Sequence, residues 1–236
     1  MSASTARHSE KLIVPPLEHG DCLSRDEFER RYEAMNDGRK AELIEGEVFM
    51  PSPTRHLRHG RPQGLFAAWL AEYWTRTPGT DFSVGGSVRL DLENEPQPDG
   101  VLFIVPECGG QAFISGDDYI EKAPELVGEI AASTASIDLN RKFRVYQRNG
   151  VREYVVWRVL DDAIDWFVLE QSRFVPLAPN APGHYQSRVF PGLWLDPLAM
   201  VRGDLKTVLA VLEKGIASPE HAKFVAKLEA KKATHR

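Results

Sequence analysis

Two apolar runs, each carrying an acidic residue, constrain this chain more than any other feature. They are Gln97-Pro98-Asp99-Gly100-Val101-Leu102-Phe103-Ile104-Val105 and Glu125-Leu126-Val127-Gly128-Glu129-Ile130-Ala131-Ala132. Neither alternates between apolar and polar positions, so both read as strands buried on both faces, in a sheet with layers packed on each side. A carboxylate at the mouth of such a strand or inside it costs several kcal/mol to desolvate unless something compensates it. An arginine partner, or a backbone N–H to cap, would serve for Asp99 or Glu129 singly. Two such acids together suggest a shared divalent metal.

At 236 residues and 42% hydrophobic content the chain is long enough for one substantial core. No stretch approaches the ~18 consecutive apolar residues of a membrane-spanning helix, and the first ten residues hold no signal-peptide apolar region. A cytoplasmic protein without a membrane partner is expected. Cys22 and Cys108 match no metal-binding or redox spacing and read as free thiols. The net charge of −5 argues against a chain that coats nucleic acid nonspecifically. Basic clusters at Arg55-His56-Leu57-Arg58-His59-Gly60-Arg61 and Arg141-Lys142-Phe143-Arg144 read either as solvated helix faces or as local guides for a phosphate backbone.

Residues 1–20 are polar and aperiodic and read as a flexible arm. Ser24, followed by Glu27 and flanked by Leu23 and Phe28 as a hydrophobic staple, predicts a helix that Asn36-Asp37-Gly38 ends. Glu42-Leu43-Ile44-Glu45-Gly46-Glu47-Val48-Phe49 predicts a strand or a hairpin. Leu65, Trp69, Leu70, Tyr73 and Trp74 recur at helical spacing from about His59, with Pro62 tolerable only in the first turn; this helix should lie on a sheet. Phe82 to Leu92 alternates as one strand ahead of the Asp99 strand. Ser133-Thr134 caps a helix carrying Leu139, Phe143 and Tyr146 and ending at Gly150, and Glu153 to Val159 pairs as a hairpin with Ala163 to Glu170. Further strands are expected at Arg173 to Leu177 and Arg188 to Leu195. A helical tail follows with Leu198, Val201, Leu205, Val208, Leu209 and Leu212 inward, then an exposed Lys-rich helix after Pro219. Trp157, Trp166 and Trp194 belong to the core or to an interface.

If the Asp99 and Glu129 strands pair side by side, their carboxylates converge. Two hard oxygen ligands plus waters are the usual protein share of a magnesium site, with substrate phosphate completing the shell. Lys142, thirteen positions after Glu129 in the next helix, could reach the end of that strand and assist phosphodiester hydrolysis.

These residues resemble the PD-(D/E)xK nuclease superfamily, and within it the Uma-two family. The shared pattern runs from the acidic segment Glu42 to Val48 through Ser52-Pro53, His59-Gly60, Pro98-Asp99 and Leu126-Val127-Gly128-Glu129-Ile130. It closes with Lys142-Phe143-Arg144-Val145-Tyr146 and Asn149-Gly150-Val151-Arg152-Glu153-Tyr154. The resemblance implies a restriction-endonuclease-like α/β (α+β) fold over residues 21–200, a mixed central sheet flanked by helices, with an extra hairpin and a helical tail over 201–236. It implies a Mg2+- or Mn2+-dependent endonuclease acting on DNA, with Asp99 and Glu129 as metal carboxylates, Lys142 as the catalytic lysine and Glu45 as a further acid. Glu42 competes with Glu45 for that place. Ala131 stands where an E-x-K motif would carry its lysine, and the Uma-two family is similar in moving the lysine onto the next helix. His59, Arg61 and Arg141 are the expected nucleic-acid contacts, and a homodimer is the simplest way to cut both strands of a duplex. The alternative is an inactive member of the fold that serves as a binding or assembly module.

Overall fold

The computed structural model describes residues 14–35, 38–51, 54–132 and 135–234. The Asn36-Asp37 stop, Ser52-Pro53, the Ser133-Thr134 cap and residues 1–13 of the expected arm lie outside the described residues.

Helix α1 spans Arg25–Glu33 and buries Phe28. Ser24 holds its N-cap position with extended backbone, but its side chain makes no capping bond. Asp26 and Glu27 in the first turn and Arg30 and Arg31 in the last oppose the helix dipole favourably. The acidic segment folds as an antiparallel hairpin, β1 (Glu42–Ile44) and β2 (Glu47–Phe49), turning through Glu45 and Gly46, both at positive φ. Helix α2 (Arg61–Arg76) is entered through a π-helical turn over His56–Gly60. Pro62 sits in its first turn.

The single strand expected from Phe82 to Leu92 is two strands, because the chain breaks at Gly85-Gly86. β3 (Thr80–Ser83) stays at the edge of the main sheet, and β4 (Val88–Arg89) leaves it. After β5 (Gly100–Ile104) come β6 (Phe113–Ile114) and β7 (Ile120–Glu121), which build a small sheet with β4. β8 (Leu126–Ala131) leads through α3 (Ala135–Ile137), a π-helical turn over Asp138–Lys142 and α4 (Phe143–Asn149) into β9 (Glu153–Arg158). β10 (Ala163–Glu170) and β11 (Arg173–Pro176) add two antiparallel strands. Only Trp194–Leu195 of the strand expected at Arg188 to Leu195 pairs, as β13 against β12 (Tyr185–Gln186). Helices α5 (Pro197–Arg202), α6 (Leu205–Ile216) and α7 (Pro219–Thr234) follow.

The main sheet runs β11-β10-β9-β8-β5-β3. Only β8 and β9 are parallel, since the helical crossover between them returns the chain to its starting end. One face packs on α2 and α6 through Leu102, Ile104, Leu126 and Ile130. The other takes Val101, Phe103, Val127 and Ala131 against Tyr146 and Tyr154. Trp157 and Trp166 are in the core as expected. Two expectations for the tail change: Leu198 is 64% exposed, because the first turn of α5 faces outward, and α7 buries Leu228 and His221. Among the described residues no helix is long and apolar enough to cross a membrane.

Candidate active site

Alternation along β5 and β8 decides where the two acids point. Val101 and Phe103 in β5, and Val127 and Ala131 in β8, all belong to the core layer under α4. Glu129 shares the phase of Val127 and Ala131, so its carboxylate belongs to that face, while Asp99 stands just before β5, at the mouth of the strand. The register pairs Gly100 with Gly128, and one step further sets Asp99 opposite Glu129. Directly opposed side chains on one face of an antiparallel pair stand about 5 Å apart at Cβ.

The intervening glycines serve the other face. A Cβ on Gly100 would come within 2.8 Å of Phe66 Cε1, and one on Gly128 would overlap the same ring. Phe66 therefore seats α2 directly on the glycine pair, which brings the start of that helix to Asp99. Gln63 Nε2 donates to Asp99 Oδ1 at 2.9 Å, His59 Nε2 lies 2.9 Å from the same oxygen, and the Ile130 N–H donates to Oδ2 at 2.8 Å. The hydrogen bond to Asp99 holds the His59 pKa above the ordinary histidine value, against the opposing effect of burial.

Glu129 is held from the π-helical turn before α4 and from α4 itself. Lys142 Nζ donates to Glu129 Oε1 at 3.0 Å and Tyr146 OH donates to the same oxygen at 2.7 Å. Asp138, Lys142 and Tyr146 recur every four residues and so lie along one helical stripe. Lys142 Nζ also donates to Glu42 Oε1 at 2.8 Å and lies 3.9 Å from Asp138 Oδ1. Glu42 Oε1 in turn accepts the Gln97 backbone N–H at 2.7 Å. Burial pushes the Glu129 carboxyl well above the usual range; Lys142 pulls it back, while Asp138, Asp99 and Glu42 push the same way as burial. Burial works against the Lys142 ammonium too, but Glu129, Glu42 and Asp138 outweigh it and hold the pKa well above the ordinary lysine value. Lys142 is thus a fixed cation, a donor of hydrogen bonds and not a base.

Of the residues singled out in the sequence, the fold pairs Asp99 with His59 and Glu129 with Lys142, and Asp99 is near enough to Glu129 to act on its charge. Glu42 occupies the place beside Lys142 for which Glu42 and Glu45 competed. Glu45 sits in the hairpin turn and pairs with Arg144 at 3.2 Å and Arg148 at 3.4 Å. Its positive φ reverses the strand phase and turns it away from the cluster. Arg141 is ion-paired to Glu47 and lies over the Phe49 ring, while Arg61 lines a separate cleft. Sequence reasoning missed Gln63, Asp138 and the polar role of Tyr146. The signal was there, since Gln63 follows His59 by four, and Tyr146 and Asp138 flank Lys142 by four.

The donors facing across β5 and β8 are hard carboxylate oxygens, the chemistry that suits Mg2+ or Mn2+ better than a soft-ligand metal. No group of three His, Cys, Asp or Glu side chains is arranged to hold a metal among the described residues. A two-carboxylate set fits an ion that keeps several waters and takes substrate oxygens.

A family model described as "Uma2: Putative restriction endonuclease" matches residues 25–200. Among solved structures the chain resembles a "putative nuclease belonging to DUF820" from Anabaena variabilis, with a TM-score of 0.50 and 12% identity over 73% of this chain and 97% of that one. At that identity the likeness speaks for the fold: a mixed sheet flanked by helices, as the sequence led one to expect. No curated protein matches the chain.

Proposed function

The chain belongs to the Uma2 family, and on that basis we propose that it is a nuclease that hydrolyses phosphodiester bonds of DNA, with Mg2+ or Mn2+ held by Asp99 and Glu129. The observation that carries this reading is that Asp99 lies within electrostatic reach of Glu129, whose Oε1 takes the Lys142 ammonium at 3.0 Å. A bound divalent ion supplies polarisation of the scissile phosphate and a lowered pKa for the attacking water.

The protein's own groups do the rest. Gln63, His59 and the Ile130 N–H fix both oxygens of Asp99, so its carboxylate is oriented before substrate arrives. Tyr146 fixes Glu129 in the same way. Lys142 keeps its proton, so it acts by orienting a water or by stabilising negative charge as the phosphorus becomes five-coordinate. Glu42 holds the ammonium in place from the β1–β2 hairpin.

Incubation of supercoiled and linear DNA with the purified protein and Mg2+ or Mn2+ tests the reading. Cleavage is expected, with loss of at least 100-fold in Asp99→Ala and Lys142→Met proteins whose circular dichroism is native. Absence of cleavage on any DNA with either ion overturns it. If titration calorimetry then also shows no ion binding by the folded protein, a binding module is the better description.

A further inference from the structure

We infer that a cleft beside the α2 entry turn, which carries His59 to Asp99, receives one unstacked nucleotide of a single-stranded nucleic acid, next to the bond that is cut. This rests on the nuclease reading. The cleft, of about 260 Å3, lies where the π-helical turn before α2 and the end of α5 meet the turn after β9. Leu65, Trp157 and Val159 supply an apolar floor, and Arg58, Arg61 and Arg202 stand around it, against one carboxylate, Asp162. Two leucines that line it are unusually bare: Leu57 is 68% exposed and Leu160 59%.

The charge at this place suits an anion. In a chain of net charge −5, Arg30, Arg89, Arg144, Arg158 and Arg188 are all tied to carboxylates. Arg58, Arg61 and Arg202 hold no ion pair among the described residues. Guanidinium groups without an ion pair around a bare apolar surface match a phosphate and the face of its base, which stack and pair with such groups without regard to sequence. The position fits as well. Arg58 adjoins His59 and Pro62 adjoins Gln63, and both His59 and Gln63 contact Asp99 Oδ1. The entry turn and first turn of α2 thus border both Asp99 and the cleft. The volume lies just under the roughly 300 Å3 at which small-ligand pockets begin, which suits one base. Bases inside a duplex have their faces covered by their neighbours, so the occupant is single-stranded or frayed.

The test uses the full chain in EDTA, which separates binding from cleavage, and reads fluorescence anisotropy of a fluorescein-labelled single-stranded DNA 12-mer across a salt series. The double variant Arg58→Ala/Arg202→Ala is expected to bind at least tenfold more weakly, with its salt slope reduced by about 1.4, or ~0.7 for each phosphate no longer neutralised. Leu160→Ser is expected to weaken binding several-fold at unchanged slope, and a blunt hairpin duplex to bind less well than the 12-mer. Native protein that binds no 12-mer, or variants that bind it as native protein does, overturn the proposal. So does sedimentation showing that Leu160→Ser dissociates a dimer, which would make this face a contact between copies. The two readings separate cleanly. Arginine-dependent binding without cleavage in Mg2+ or Mn2+ refutes the nuclease and leaves the subsite; cleavage indifferent to these substitutions refutes the subsite alone.

Discussion

Lys142 and Glu129 form a buried ion pair, Nζ to Oε1 at 3.0 Å, between the first helical turns of a crossover and the strand that precedes it. Both side chains are almost wholly out of water, at 6% and 4% exposure. Such a pair gains little over an apolar pair of the same shape but costs a great deal to break on one side. The cluster around it is therefore where substitution separates structural from chemical roles.

Lys142→Met leaves Glu129, Glu42 and Asp138 facing one another without their cation. Stability at pH 8 is expected to fall by about 3 kcal/mol. The loss should shrink at pH 5, because burial and mutual repulsion already favour the protonated form of Glu129 and removal of the cation strengthens that preference. Urea unfolding at the two pH values measures this, and an unchanged midpoint at pH 8 would show that the ammonium does not hold the cluster.

Glu42 and Glu45 should part company in any cleavage assay. Glu42→Ala removes an acceptor of the Lys142 ammonium and is expected to lower the rate at least tenfold. Glu45→Ala loses only the half-exposed pairs with Arg144 and Arg148, so rate and stability should stay near native, within about 0.5 kcal/mol. Rates in the reverse order would move the first acid to Glu45.

Gly128→Ala drives a methyl group into the Phe66 ring and should lift α2 from the sheet, at a cost of about 1–3 kcal/mol. Because α2 carries Gln63 to Asp99, activity should fall with stability. Phe66→Leu in the same chain is expected to recover part of both, and a double-mutant cycle reads the coupling. Strictly additive effects would mean that the glycine serves something other than this contact.

Glu95 gives the chain a pH dependence outside the site. It is 1% exposed and faces the Glu29 carboxylate. Burial first, then Glu29 beside it, raises its pKa from 4.5 to about 8, while Arg89 and Arg25 oppose the rise. A carboxyl with a raised folded pKa favours folding below the unfolded value, and that advantage is lost as pH climbs through the folded one. Native protein and Glu95→Gln should thus be closest in stability near pH 4.5. The variant should gain progressively to pH 8, by roughly 2–4 kcal/mol. Melting temperatures of the two across that range check it, and a constant difference would refute it.

The strands bearing Asp99 and Glu129 were legible because their apolar runs are continuous, and Lys142 because a helix had to follow Glu129. Glu42 and Glu45 could not be separated, since choosing between them requires knowing that Glu45 adopts a left-handed backbone in the turn. The strand from Phe82 to Leu92 kept its alternation across Gly85-Gly86 while changing sheets, a break that periodicity does not register. Leu198 matched the inward spacing of a helix but sits in the first turn of a six-residue one, too short for its pattern to decide its facing. Gln63 and Tyr146 looked like ordinary members of amphipathic helices, and only the seating of those helices on the sheet turns them toward the acids.

Anomalous scattering from a crystal soaked in Mn2+ reads the shared metal site without an assay in between. One strong peak is expected at about 2.1 Å from carboxylate oxygens of both Asp99 and Glu129, lost in crystals of Asp99→Ala. An ordered site with no peak between these two side chains, or with manganese bound only elsewhere, would contradict a metal held by this pair.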